Sequence, residues 1–129
     1  MKRVLLVEDH KLLREGLAAE LDRQPDLEVA AQASSLAAAR SAVELGAIDI
    51  AIVDSNLRGG DGFELVRELG EAQPHSIPTL VVTTSLDPAV YDLALQAGAS
   101  EVLAPGVSFE HILLALSSST KAYLRCVIN

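Results

Sequence analysis

Five short apolar runs, each followed by a stretch with helical spacing, constrain the fold of this chain more than any other feature. The runs lie at residues 4–7, 27–31, 50–53, 80–83 and 101–104. Their length and lack of alternation predict strands covered on both faces. After the first run, Leu13, Leu17 and Leu21 recur every four residues, which predicts an amphipathic helix ending at Gln24-Pro25. A second helix is expected after Ser34-Ser35, turning Leu36, Ala39 and Val43 inward and stopping at Gly46. A third begins near Asp61-Gly62 and buries Leu65, Val66 and Leu69. The fourth has the clearest limits: Asp87 as N-cap, Pro88 at the first helical position and Gly98 just past the end. The fifth starts near Ser108 and turns Ile112, Leu113 and Leu116 inward.

Strand–helix alternation with short connections predicts an α/β domain: a doubly wound, five-stranded parallel sheet with five helices on its two faces. A common order for such a sheet is 2-1-3-4-5, the flavodoxin-like arrangement, with its switch point between strands one and three. That topology sets the carboxyl ends of strands one and three side by side. Glu8 and Asp9 leave the first strand there, Asp54 leaves the third, and Thr83 ends the fourth on the same rim. Three acids on one rim repel one another, and a hard divalent cation offsets such repulsion.

At 129 residues the chain is read as one domain over residues 1–119, with residues 120–129 as a tail or an extension of the last helix. No apolar stretch approaches the roughly 18 residues of a membrane span. Met1-Lys2-Arg3 leads straight into a strand and lacks the form of a signal peptide, and Cys126 is the single cysteine. A cytoplasmic location is expected. The net charge of −8 argues against direct nucleic-acid binding by this domain, and no Lys or Arg lies between Arg67 and Lys121.

Several motifs, taken in order, carry a family resemblance. Val4-Leu5-Leu6-Val7-Glu8-Asp9-His10, the segment Asp54-Ser55-Asn56-Leu57-Arg58-Gly59-Gly60-Asp61-Gly62, Val82-Thr83-Thr84 and Ala97-Gly98-Ala99-Ser100 resemble a response-regulator receiver domain of two-component signalling. Arg14-Glu15-Gly16-Leu17 and Pro25-Asp26-Leu27-Glu28-Val29 resemble its NarL/LuxR subgroup. The resemblance implies that Asp54 accepts a phosphoryl group from a histidine kinase or phosphotransfer protein. It implies a Mg²⁺ ion held by Glu8, Asp9, Asp54 and the backbone carbonyl of Asn56, with Thr83 and Thr84 contacting the phosphoryl group. It also implies no enzymatic role beyond self-catalysed phosphotransfer and dephosphorylation. A DNA-binding domain following in a full-length protein and a homodimer through the fourth and fifth helices and fifth strand are further implications.

The chain departs from the family at three positions. The strand-five lysine is replaced by Pro105 (by Ala104 if one gap is allowed), the usual aromatic by Val102, and the common proline four residues after the acceptor by Arg58. A charge-assisted hydrogen bond is worth about 1.5–3 kcal/mol, so losing the lysine costs roughly ten- to a hundredfold in stabilising the phosphorylated form. Arg58 and Lys11, both expected on rim loops, are the candidates for replacing its charge. The resemblance thus predicts phosphoacceptance with atypical output; the alternative is a degenerate pseudo-receiver acting as a phosphorylation-independent interaction module. A flavodoxin-like cofactor enzyme is disfavoured, because no Ser/Thr-rich phosphate loop follows strand one. His10 reads as a helix-start residue, since hard cations prefer oxygen, and His75 and His111 read as solvated. Gly59-Gly60 with Gly62 fits neither a P-loop nor a dinucleotide fingerprint.

Overall fold

The computed structural model describes residues 1–55, 57, 62–73, 75–83, 87–103 and 109–117, apart from the side chains of Phe109 and Ser117. The chain alternates strand and helix throughout: β1 (Lys2–Val7), α1 (Lys11–Asp22), β2 (Leu27–Ala33), α2 (Leu36–Glu44), β3 (Ile50–Asp54), α3 (Gly62–Gly70), β4 (Thr79–Val82), α4 (Pro88–Ala97), β5 (Glu101–Leu103) and α5 (Phe109–Ser117). The strands form one five-stranded sheet in the order β2-β1-β3-β4-β5, every described pairing parallel. This is the expected doubly wound topology.

Side chains alternate across the sheet, and the core divides accordingly. On one face Val4, Leu6, Ile50, Ile52, Leu80 and Leu103 pack with Ala18 and Leu21 of α1 and Ile112, Ala115 and Leu116 of α5. On the other, Leu5, Val7, Ala51 and Val53 pack with Leu36 and Ala39 of α2 and Leu65 and Leu69 of α3. Val81 and Val102 meet Val66, Ala94 and Ala97 beneath α3 and α4. The Lys2 ammonium donates to the carbonyl oxygen of Leu116, tying the start of β1 to the last turn of α5.

Helix ends follow local chemistry. The Asp87 side chain accepts from the Ala89 N–H, Pro88 opens α4, and Gly98 closes it at φ 108°, where only glycine is at ease. Ser35 caps α2 through the Ala38 N–H.

Three expectations need correction. Leu13 is 61% exposed, so the Leu13–Leu17–Leu21 row is not one buried stripe; Ala18 and Leu21 carry the inward face. A strict four-residue repeat drifts about 40° per step around a helix of 3.6 residues per turn, which swings Leu13 about 80° from Leu21. The second strand runs to Ala33, because the register with β1 shifts at Ala30 and resumes with Leu5 opposite Ala31. Lys11 is the exposed first residue of α1 rather than part of a loop.

Candidate functional site

Register builds the rim. Val7 of β1 pairs with Val53 of β3, and Asp54 pairs with Val82 of β4. Glu8 and Asp9 therefore emerge level with Asp54, and Thr83 leaves β4 one residue further on. Carboxylate oxygens of Glu8, Asp9 and Asp54 lie within 4.8 Å of one another, and all three residues are half-buried. These are hard oxygen donors with no nitrogen or sulfur ligand among them, a set that fits a hard divalent cation.

The turn from β1 into α1 is tightly bonded. The Glu8 N–H donates to the Ala33 carbonyl at 3.0 Å, and Glu8 Oε1 accepts from the His10 N–H at 3.0 Å. His10 caps α1, its Nδ1 accepting from the Leu13 N–H at 3.4 Å. Arg14, one turn into the helix, donates from its guanidinium to the Glu8 carbonyl oxygen at 2.9 Å. Sequence reading missed this contact and sought the rim cation at Arg58 and Lys11. The signal was available in the six-residue spacing from Glu8 to Arg14, which returns a long side chain to the helix start.

Acid crowding has a direct electrostatic result. The Glu8 carboxyl is pushed from its ordinary 4.5 up to about 7. Burial is the largest cause, followed among the upward effects by a hydrogen bond with the Asp54 carboxylate and the charges of Asp54 and Asp9; the bond from the His10 N–H pulls the other way.

Thr83 is 1% exposed, and its N–H donates to the Leu103 carbonyl at 3.1 Å, joining the end of β4 to the end of β5. Val102 is buried with Val66, Val81 and Ala94, and Phe63 and Tyr91 pack against this cluster. Gly62 opens α3 directly against the third strand: a Cβ there would stand 2.8 Å from the Asp54 carbonyl oxygen. That close approach also escaped sequence reading. Asn56, Arg58, Thr84 and Pro105 lie outside the described residues, as does the tail of residues 120–129.

A doubly wound sheet with an acidic rim at its switch point defines a class of domain, and the comparisons with known proteins specify it. Residues 4–117 match the response regulator receiver domain family. The chain belongs to that family. It is 37% identical over 124 residues to the transcriptional regulatory protein LiaR of Bacillus subtilis, covering 94% of this chain and 57% of that protein. A LuxR-family two-component response regulator from an Aurantimonas species shares the fold with a TM-score of 0.81 at 27% identity, over 89% of this chain and 81% of that one. A response regulator from Burkholderia pseudomallei with a phosphorylated aspartic acid, calcium ion and citrate gives a TM-score of 0.82 at 25% identity, over 97% and 72% of the two chains. The chain spans about half the length of the first relatives it matches, the transcriptional activator DevR/DosR of Mycobacterium tuberculosis and LiaR, which are of NarL/LuxR type. Receiver domains of response regulators interact with histidine kinases and generally bind Mg²⁺ at an acidic site. Among the described residues, no helix is long and apolar enough to cross a membrane.

Proposed function

We propose that this domain, residues 1–119, accepts a phosphoryl group on Asp54 from the phosphohistidine of a histidine kinase or phosphotransfer protein. The observation that carries the reading is the convergence of Glu8, Asp9 and Asp54 within 4.8 Å. In the transfer the donor's N–P bond breaks as an Asp54 carboxylate oxygen forms the new O–P bond. Glu8, Asp9, Asp54 and the Asn56 carbonyl would hold Mg²⁺. Bound there, the ion supplies positive charge against the transferring group. Thr83 and Thr84 supply phosphoryl contacts. The Burkholderia relative, with its phosphorylated aspartic acid, supports the same chemistry here.

Output is proposed to be atypical. Pro105 offers no donor where the family places lysine, and Val102 is an apolar side chain sealed under α3 and α4 rather than an aromatic able to swing. That burial is also what favours the second reading, a pseudo-receiver that binds partners without phosphorylation. The setting proposed is cytoplasmic, with the capacity to form a homodimer; the domain either stands alone or, within a longer regulator, precedes a DNA-binding domain.

Amide NMR separates the two readings. Mg²⁺ with beryllofluoride is expected to shift Ser55 and Thr83 strongly and Val102 little. No shift at Ser55 or Thr83 would favour the pseudo-receiver, and a shift at Val102 as large as that at Thr83 would remove the claim of atypical output.

The Glu8 proton gives the cation site a pH dependence. Its folded value, about 7, exceeds the ordinary 4.5, so proton binding favours the folded, ion-free protein. That contribution is full below about 4.5 and is lost as pH rises through about 7. Mg²⁺ affinity has the opposite trend: below pH 7 it falls by roughly tenfold per pH unit at most, the limit for displacing one proton. Titration calorimetry across this range checks it; an affinity flat with pH would contradict the assignment of Glu8 to the site.

A further inference from the structure

We propose that Arg14 is a positioning residue for the acidic rim, fixing the Glu8–Asp9 peptide and thereby setting how tightly the three carboxylates hold a divalent cation. The inference rests on the reading of Glu8, Asp9 and Asp54 as a cation site.

Only residues 8–10 separate β1 from α1, so the direction of both acids depends on one short turn. Three of the bonds in that turn are local or follow the sheet: Glu8 N–H to the Ala33 carbonyl, His10 N–H to Glu8 Oε1, and Leu13 N–H to His10 Nδ1. The fourth is different in kind. The Arg14 guanidinium reaches back from the helix to the Glu8 carbonyl at 2.9 Å, in a partly buried setting. That oxygen belongs to the same peptide plane as the Asp9 N–H. A donor fixed on it fixes the plane, and with it the angle at which Asp9 leaves the chain. Guanidinium suits the task because it is always charged, planar and rigid, and its hydrogen bonds are charge-assisted.

Charge and geometry make opposite predictions. A fixed positive charge beside the rim repels a divalent cation, so its removal alone would tighten binding. A fixed turn holds two ligands ready, so its loss would loosen binding. Groups that orient metal ligands without touching the metal typically contribute about 10- to 100-fold in affinity. Arg14 is half-buried rather than sealed in the core, so solvent and salt screen the repulsion. Geometry is therefore expected to win.

The test titrates Mg²⁺ into the wild type, Arg14→Met and Arg14→Lys above neutral pH, and follows amide hydrogen exchange at Asp9 and His10 without metal. Arg14→Met keeps most of the apolar stem and removes charge and donors. It is expected to bind Mg²⁺ about tenfold more weakly and to exchange faster at Asp9 and His10. Arg14→Lys restores part of both. Affinity in Arg14→Met equal to or above wild type would overturn the proposal. Should Arg14→Met not fold, Arg14→Lys decides alone, because it keeps the charge but replaces the planar fork with a point donor; unchanged affinity and exchange in it would also overturn the proposal. A wild type that binds no Mg²⁺ would instead remove the cation site itself, and this inference with it.

Discussion

Asp9→Asn is expected to weaken Mg²⁺ binding roughly thirtyfold or more while making the ion-free protein more stable. The substitution keeps size and shape and removes one negative charge. Even at the dielectric constant of water, unit charges about 4 Å apart interact by about 1 kcal/mol, and a divalent ion doubles this to about 2 kcal/mol. The half-buried rim screens less than water does, so thirtyfold is the lower end. The same substitution relieves the repulsion of Asp9 with Glu8 and Asp54, whose oxygens stand within 4.8 Å of it. That relief is worth roughly 1 kcal/mol by the same arithmetic. Melting curves should therefore cross: the variant melts higher without Mg²⁺ and lower at saturating Mg²⁺ for the wild type. A variant that melts lower in both conditions would show that Asp9 serves the fold rather than a cation.

Gly62→Ala is expected to cost about 1–3 kcal/mol of stability, the usual range for overpacking, and to slow phosphorylation at Asp54. A methyl group at Gly62 meets the Asp54 carbonyl at 2.8 Å and the Ser55 Cα and carbonyl at 3.5 Å. These are backbone atoms and cannot rotate away, so either α3 lifts or the end of β3 moves. Either displacement shifts Asp54 from the level of Glu8. Gly16→Ala is the control: Gly16 lies within α1 with nothing within 4 Å of its added Cβ. Alanine there should stabilise by about 0.5–1 kcal/mol through helix propensity alone. Thermal melts and acetyl-phosphate labelling of both variants check the pair. Equal behaviour of the two would mean that the close approach at Gly62 has no consequence.

What the sequence discloses depends on how local the physics is. The limits of α4 are legible because Asp87, Pro88 and Gly98 act within a turn of their own positions. The acids are legible because a buried strand expels charge at its exit, and the switch-point rule then brings Glu8 and Asp9 beside Asp54. The exposure of Leu13 was hidden, since a four-residue repeat resembles a helical stripe but drifts off it over two turns. The extent of β2 was hidden by the irregularity at Ala30, which depends on pairing with β1. Arg14 and Gly62 escaped notice because their partners are backbone carbonyls, of Glu8 and Asp54. Backbone atoms leave no mark in a residue pattern.

The most direct measurement is the intact mass of the protein after incubation with acetyl phosphate, with and without Mg²⁺, beside Asp54→Asn. The wild type is expected to gain one phosphoryl group in a Mg²⁺-dependent manner and the variant none. An unmodified wild type, or an Asp54→Asn variant that labels equally well, would contradict phosphoacceptance at Asp54.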